Sequence, residues 1–224
     1  MISSTIVFDM DGLLLDTERV CRDAFIDTRR AFSLPDSPEV FLKCVGHRQV
    51  DSDIIIRDSL ENSADFEAFN AMWTANNDAR LRREIPLKHG ALQLLQILAA
   101  KGCSMAVATS TKTATARAHL EQAGMLRFIT DVVGGDQVET GKPDPEVYHK
   151  AAALLAVDAS DCVAFEDSET GTRAAVASGA RTVQVPDLIP PSPAFAEHGQ
   201  IIAPDLLEGA VMVGLLSRGD IPAL

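Results

Sequence analysis

The chain has 224 residues, and its 20 lysines and arginines against 32 aspartates and glutamates give a formal net charge of −12. This acidic balance argues against a nucleic-acid partner, because binding to phosphate backbones needs a basic surface. The hydrophobic share of 46% and the charged share of 23% are ordinary globular values, which excludes disorder over most of the chain.

A short, β-rich apolar run at residues 5–8 begins the fold and ends at Asp9. Similar runs follow at residues 103–108, 162–165 and 182–185. Their continuous apolar character predicts parallel strands that are covered on both faces. Helical patterns alternate with them, at residues 91–100, 112–122, 146–156 and 169–178. This alternation predicts an α/β fold with a doubly wound, Rossmann-like parallel sheet.

The stretch from residue 17 to residue 84 interrupts this alternation, because it carries helix-like apolar spacing and turn signals but no convincing strand. We therefore predict a catalytic core of residues 1–16 and 85–224, with a small α-helical cap of residues 17–84 inserted after the first strand. The cap would stand at the carboxyl ends of the strands, where open α/β sheets bind ligands. The proline-rich stretch at residues 186–193 is interpreted as an extended surface loop.

The four cysteines have no CxxC spacing, which is typical of reduced thiols rather than of a disulfide framework or a zinc site. The apolar runs are far shorter than a membrane span, and no basic leader precedes Asp9. We therefore expect a cytoplasmic protein that has no membrane partner, and a monomer is the simplest expectation.

Asp9 and Asp11 follow the first predicted strand two residues apart, so that their carboxylates can face the same side of the chain. Two such charges a few ångströms apart repel each other, and they need a cation or a shared proton between them. Gly12 allows the backbone to turn directly afterwards. By itself this motif is equally compatible with a strand that ends in a polar turn.

A second acid pair, Glu166 and Asp167, follows the predicted strand at residues 162–165. Because the carboxyl ends of parallel strands open on one edge of a sheet, the two acid pairs can converge into a site rich in oxygen ligands. Such a site suits a hard cation such as Mg²⁺. Asp167 is the expected direct ligand, because adjacent residues of a strand point to opposite faces.

Two further strand ends carry groups that can bind an anion. Thr109 and Ser110 close the strand at residues 103–108 and lead into a helix, so a hydroxyl and free helix N–H groups can meet a phosphate there. A simple Ser/Thr helix cap fits Ser110 or Thr111 equally well. Lys142 lies in a stiff Gly-Lys-Pro-Asp-Pro turn and, if it is not a solvated surface charge, can serve as a phosphate partner.

In this order, the four segments resemble the haloacid dehalogenase superfamily of phosphoryl-transfer enzymes. The resemblance spans residues 9–167. The Asp-Thr pair at residues 16–17, the turn at 141–145 and the Glu-Asp-Ser-x-x-Gly run at 166–171 are similar to subfamily I, which has a helical cap after the first loop. That branch contains β-phosphoglucomutase-like enzymes and sugar-phosphate phosphatases.

The resemblance implies that Asp9 attacks phosphorus and forms an aspartyl-phosphate, while Asp11 acts as the general acid and base. It implies a Mg²⁺ ion bound by the Asp9 carboxylate, the Asp11 main-chain carbonyl and Asp167, with Glu166 nearby or bound through water. It also implies that Thr109 and Lys142 bind the transferring phosphoryl oxygens. The expected reaction is hydrolysis of a small phosphorylated metabolite, a sugar phosphate or a related phospho-acid.

The cap is expected to select the substrate, and Arg48 is its candidate contact to an anionic or hydroxyl-rich group. A solvated arginine at a helix end is the open alternative for this residue. Mutases of the branch carry a His where this chain has Cys21, and a cap Lys that the stretch at residues 76–78 does not offer. A phosphatase is therefore favoured over the alternative of a sugar-phosphate mutase. A phospho-acceptor signalling module is a further alternative, although such a module needs no helical cap.

Overall fold

The computed structural model describes residues 4–45, 49–61 and 63–221. Within them, six parallel strands form one sheet in the order β3-β2-β1-β4-β5-β6. The strands are β1 (Thr5–Phe8), β2 (Ser104–Ala108), β3 (Asp131–Val133), β4 (Val163–Glu166), β5 (Arg181–Gln184) and β6 (Ile201–Ile202). β1 is central and pairs with β2 on one side and β4 on the other. The carboxyl ends of these three strands therefore lie side by side.

Helices lie between and after the strands. They are α1 (Thr17–Ala31), α2 (Pro38–Leu42), α3 (Gln49–Ser59), α4 (Phe66–Arg83), α5 (Ala91–Ala100), α6 (Thr113–Gln122), α7 (Glu146–Leu154), α8 (Glu169–Ala177) and α9 (Leu206–Met212). Short 3₁₀ turns occur at Leu126–Phe128, Gly135–Gln137, Ala159–Asp161 and Arg218–Asp220.

The two faces of the sheet bury different side chains, as the alternating pleat requires. Ile6 and Phe8 of β1 point into a large cluster beneath α5, α6 and α9. Val7 points to the opposite face, where small residues of β2 and β4 allow α7 and α8 to pack closely. Helices on both faces make this a doubly wound sheet, and the predicted α/β fold class is confirmed.

The helical insert between β1 and α5 has a hydrophobic core of its own. The ring of Phe25 on α1 contacts Phe41, Phe69 and Trp73, with centroids between 5.3 and 6.0 Å apart. This aromatic cluster joins α1, α2 and α4 in one body, so most of the aromatic residues of the chain stabilise the cap rather than the sheet.

The two connections between cap and core run side by side. The Asp16 N–H donates to the carbonyl of Pro86 at 2.8 Å, and the Lys88 N–H donates to the carbonyl of Leu14 at 3.0 Å. Leu15 and Leu87 form an antiparallel bridge between them. The division at residues 16 and 84 stays a prediction, although the helical segment begins at Thr17 and α4 ends at Arg83.

The sequence prediction missed β3, β6 and α9. β3 and β6 have three and two residues, which is too short for an alternating or apolar pattern to stand out. α9 contains Gly209, a residue that lowers helix propensity. A Cβ at Gly209 would lie 2.8 Å from Cγ1 of Val183, so glycine is needed there for close packing on the sheet.

Among the residues that the structure describes, no helix combines the length and the apolar character that a membrane span requires.

Candidate active site

The backbone after β1 brings Asp9 to the edge of the sheet and then turns sharply. The Asp9 N–H donates to the carbonyl of Phe165 at 2.9 Å, which continues the pairing with β4. The N–H groups of Leu14 and Leu15 both donate to the carbonyl of Met10, which closes a tight turn. The Asp9 side chain is therefore buried at the strand end, while Asp11 remains partly exposed on the turn.

Three hydroxyl groups, one from the start of α1 and two from the loop after β2, bind the two oxygens of Asp11. Oδ1 accepts from Thr17 at 2.6 Å, and Oδ2 accepts from Thr111 at 2.7 Å and from Thr109 at 3.4 Å. Thr17 and Thr111 were not predicted as site residues. Thr111 was interpreted as a possible helix cap, but the N-cap residue of α6 is Lys112. The signals available in the sequence were the Asp-Thr pair at residues 16–17 and the run of hydroxyl residues at 109–111 after β2.

Lys142 lies buried between Asp9 and Glu166. Its ammonium donates to Oδ1 of Asp9 at 2.6 Å, to Oε1 of Glu166 at 2.6 Å and to the carbonyl of Ala108 at 3.0 Å. These contacts use all three donors of the ammonium. Burial lowers the pKa of Lys142, but the charges of Asp9 and Glu166 outweigh this effect and raise its pKa above the ordinary value. Lys142 is therefore charged at neutral pH.

Glu166 is fully buried, and both of its oxygens have hydrogen-bond donors. The Tyr148 hydroxyl donates to Oε1 at 2.5 Å, the same oxygen that Lys142 contacts. The Asp167 N–H donates to Oε2 at 3.2 Å. A Cβ at Gly171 would lie 2.1 Å from both carboxylate oxygens, so α8 can begin close to Glu166 only with glycine at that position. Tyr148 is another site residue that the sequence did not predict.

Asp9, Glu166 and Asp167 form a buried group of carboxylates whose ligand oxygens all lie within 4.8 Å of one another. Burial raises the pKa of Asp9 well above its usual range, and Glu166 and Asp11 raise it further against the opposing effect of Lys142. Burial and the charges of Asp9 and Glu166 likewise raise the pKa of Asp167. Lys142 is hydrogen-bonded to Asp9 and Glu166, so the charge of one lysine stands against three carboxylates. A donor set made only of oxygens fits a hard divalent cation.

A cavity of about 450 Å³ lies above this acid cluster, between the sheet edge and the cap. Its floor includes Asp9, Asp11, Thr109, Ser110, Thr111, Lys142 and Asp167. Its cap side combines apolar side chains, among them Phe41, Trp73 and Leu81, with the polar side chains of Glu18, Asn77 and Asp78.

The structure brings the predicted residues of all four segments to one place. Asp9, Asp11, Thr109, Lys142 and Asp167 all line the cavity. Glu166 lies beneath it as the last residue of β4, and its role as a metal ligand stays a prediction. Arg48, the predicted cap contact, lies outside the described residues.

Residues 4–179, well over half of the chain, match the family model of the haloacid dehalogenase-like hydrolases. The chain belongs to this family. The motifs at residues 16–17, 141–145 and 166–171 assigned the sequence to subfamily I, which has a helical cap after the first loop. The helices between β1 and β2 form this cap, and the assignment is confirmed.

Several similar proteins have names or structures that belong to the predicted branch of β-phosphoglucomutase-like enzymes and sugar-phosphate phosphatases. The phosphorylated carbohydrates phosphatase of Thermotoga maritima is 29% identical over 174 residues, which are 78% of this chain and 81% of that protein. A structure from Thermotoga maritima assigned as a β-phosphoglucomutase has a TM-score of 0.73 at 27% identity and covers 88% of this chain and 92% of its own. CbbY of Rhodobacter sphaeroides, solved in complex with xylulose-1,5-bisphosphate, has a TM-score of 0.72 at 26% identity, with 92% and 95% covered.

These matches confirm that the chain is an enzyme, a haloacid dehalogenase-like phosphatase. Within this family, the buried acid cluster implies a divalent metal ion.

Proposed function

We propose that this haloacid dehalogenase-like enzyme is a Mg²⁺-dependent phosphatase that hydrolyses a small phosphorylated metabolite through an aspartyl-phosphate on Asp9. The observation that carries the proposal is the position of Asp9. Its carboxylate is buried at the floor of the cavity, is bound by Lys142 at 2.6 Å and lies within the acid cluster. A carboxylate that Lys142 holds in place, and that a bound metal ion would help to keep ionised, is a suitable nucleophile for phosphorus.

The Asp9 carboxylate, the main-chain carbonyl of Asp11 and Asp167 would hold Mg²⁺, with Glu166 nearby. When bound, the ion offsets the repulsion between an anionic nucleophile and an anionic phosphate ester. Lys142 adds to this effect, because its charge is maintained at neutral pH by Asp9 and Glu166.

In the first step, an oxygen of Asp9 bonds to phosphorus while the bond to the leaving oxygen breaks, and Asp11 gives its proton to that oxygen. In the second step, Asp11 takes a proton from a water molecule, whose oxygen bonds to phosphorus and releases phosphate and Asp9. Thr17 and Thr111 orient Asp11 for both transfers by binding its two oxygens. Thr109 and Ser110 would bind the phosphoryl oxygens, over which the charge of the transition state is spread. Lys142, whose three donors contact Asp9, Glu166 and Ala108, would stabilise that charge electrostatically.

The proposed substrate class is a sugar phosphate or a related phospho-acid. A cavity of about 450 Å³ is within the usual range for small-molecule sites. Its cap side offers carboxylate and amide groups of Glu18, Asn77 and Asp78, which can bind hydroxyl groups of a leaving group. Two of the relatives support this class, one named for phosphorylated carbohydrates and one bound to a sugar bisphosphate.

A mutase is the second candidate, because one of the similar structures is assigned as a β-phosphoglucomutase. Cys21, at the position where we expect the mutase histidine, lines the cavity. Burial, together with the charges of Glu18 and Asp11, raises the pKa of the Cys21 thiol well above its usual value. A thiol that stays protonated cannot accept and return protons at neutral pH as an imidazole can, and this favours hydrolysis.

Phosphate release should be measured with a panel of phosphosugars, phospho-acids and nucleotides, in Mg²⁺ and in excess chelator. The proposal predicts Mg²⁺-dependent release that is greatest for a sugar phosphate or phospho-acid and is lost in Asp9→Asn. Asp158→Asn, an exposed change at the opposite end of β4, is the matched control and should retain activity. Activity in chelator would remove the metal role, and conversion of a sugar 1-phosphate to its 6-phosphate without release would favour the mutase.

We further propose a cytoplasmic location, which the four free cysteines support as residues of a reducing compartment.

A further inference from the structure

Asp187 lies in the proline-rich loop after β5 and contacts both connections between cap and core. Its side chain is 1% exposed, and its Oδ1 accepts from Nη1 of Arg19 at 2.6 Å and from Nζ of Lys88 at 2.5 Å. Arg19 belongs to the first turn of α1, and Lys88 to the return connection before α5. Both cations therefore bind the same oxygen of Asp187, on the side that faces the two connections between cap and core. We call these two connections the hinge.

The second oxygen of Asp187 points the other way. Among the described residues, Oδ2 is buried and has no hydrogen-bond partner. A Cβ built on Gly12 would lie 3.4 Å from this oxygen and 2.2 Å from Oδ2 of Asp167. Both oxygens therefore face the same small space beside Gly12, at the edge of the acid cluster.

Two buried carboxylate oxygens that face each other repel unless a cation or a donor lies between them. Arg19 and Lys88 do not fill this role, because they bind Oδ1. The charge of Asp187 is also among the causes that raise the pKa of Asp167. Oδ2 therefore requires a donor from the side of Asp167, where the metal ion is proposed to bind.

We propose that Asp187 is a positioning residue of the metal site, with Oδ2 accepting a hydrogen bond from a water molecule in the hydration shell of the ion. The inference rests on the metal site of the proposed function. Mg²⁺ usually keeps several of its waters in proteins, and acceptors for these waters tune its affinity. Through Oδ1, the same side chain links the metal site to Arg19 and Lys88 at the hinge.

The test is calorimetric titration with MgCl₂ alone, on the full chain, for the wild type, Asp187→Asn, the reference variant Asp167→Asn and a double variant, Arg19→Gln with Lys88→Met. In Asp187→Asn, the two cations retain the amide oxygen, so the NH₂ group takes the position of Oδ2 and cannot accept from water. We expect the Kd for Mg²⁺ to rise about 10- to 100-fold, the usual effect of losing such an outer contact. The double variant leaves Oδ2 in place and should bind Mg²⁺ equally well or more tightly.

An unchanged Kd for Mg²⁺ in folded Asp187→Asn would overturn the inference. An equal loss of Mg²⁺ affinity in the double variant would also overturn it, because Asp187 would then act only through its contacts at the hinge. A loss as complete as that of Asp167→Asn would make Asp187 a direct ligand and also contradict the proposal. If Asp187→Asn does not fold, Asp187→Ser should show the same weakening. A wild type that binds no Mg²⁺ would overturn the proposed metal site itself, together with this inference.

Discussion

The hydroxyl of Tyr148 donates a hydrogen bond of 2.5 Å to Oε1 of Glu166, in the buried layer beneath the acid cluster. The same oxygen accepts from Lys142 at 2.6 Å, and Lys142 in turn binds Asp9. Burial and the charge of Glu166 raise the pKa of Tyr148 well above its usual value, so the phenol remains a neutral donor. Tyr148 therefore positions the proposed nucleophile through two intermediate side chains.

Removal of this hydroxyl is predicted to affect both stability and catalysis. Tyr148→Phe keeps the ring but leaves Glu166 with one donor fewer, and a hydrogen bond to a charged group contributes about 1.5–3 kcal/mol. We expect urea unfolding to reveal a loss in this range. We also expect kcat to fall about tenfold, equivalent to about 1.4 kcal/mol of activation free energy, with KM little changed. Wild-type stability together with wild-type kcat would show that Lys142 alone positions Glu166.

Gly12 is predicted to be indispensable for the site because it lies against Asp167, and not because of its backbone angle. Gly12 has φ of +82°, and a Cβ there would lie 2.2 Å from Oδ2 of Asp167. Gly102 has φ of +76°, and a Cβ there would meet nothing within 4 Å. Both alanine variants carry the backbone cost of about 1–2 kcal/mol, but only Gly12→Ala displaces Asp167.

Phosphate release by the two glycine variants provides the check. We expect Gly12→Ala to lose activity by about 100-fold or more, since a displacement near 1 Å at a reacting site has such an effect. Gly102→Ala should remain active, with a lowered melting temperature. Equal activity of the two variants would mean that Asp167 can move away without consequence for the site.

The metal-free protein is predicted to lose stability as the pH rises toward 8. Burial, together with the charges of Asp11 and Asp9, raises the pKa of Glu18 from 4.5 to about 8. The pKa values of Asp9 and Asp167 are raised in the same direction. Between the unfolded and folded pKa values, the folded state binds more protons than the unfolded state. Stability therefore falls with rising pH in this window.

Melting temperatures measured between pH 5 and 8 in excess chelator test whether stability falls as the pH rises. This direction follows from the raised pKa of Glu18. We expect a decline of several degrees, since about 1 kcal/mol corresponds to roughly 2–4 °C for a domain of this size. Added Mg²⁺ should raise the melting temperature most at the upper end, where the carboxylates are ionised. Glu18→Gln should flatten the decline, and a melting temperature that rises with pH in chelator would contradict the assigned shifts.

Much of the core was predictable because strand, turn and helix signals agree there. The motif residues follow apolar strands, and the parallel order of the strands brings Asp9, Thr109 and Asp167 to one edge. The repulsion between neighbouring acids indicated, from charge alone, either a cation or a shared proton. These inferences needed only the local pattern and the rule that parallel strands end on the same side.

The supporting contacts were not predictable, because they depend on tertiary distances that local patterns do not encode. The sequence indicates only that Tyr148 is a core residue of α7. The role of its hydroxyl is visible only in the structure, where it lies 2.5 Å from Glu166. The sequence indicates that Asp187 is a polar residue of a surface loop, but the fold buries its side chain between the hinge and Gly12. The same holds for Thr111, whose contact with Asp11 spans 100 positions of the chain.

The central claim is that Asp9 becomes phosphorylated during turnover. A single-turnover reaction with the best substrate from the panel should be quenched in acid, and the peptide that contains Asp9 analysed by mass spectrometry. The account predicts an acid-stable, hydroxylamine-sensitive phosphoryl group on Asp9 that forms in Mg²⁺ and is absent in chelator and in Asp9→Asn. Product formation at the wild-type rate by Asp9→Asn, or a phosphoryl group on another residue, would contradict it.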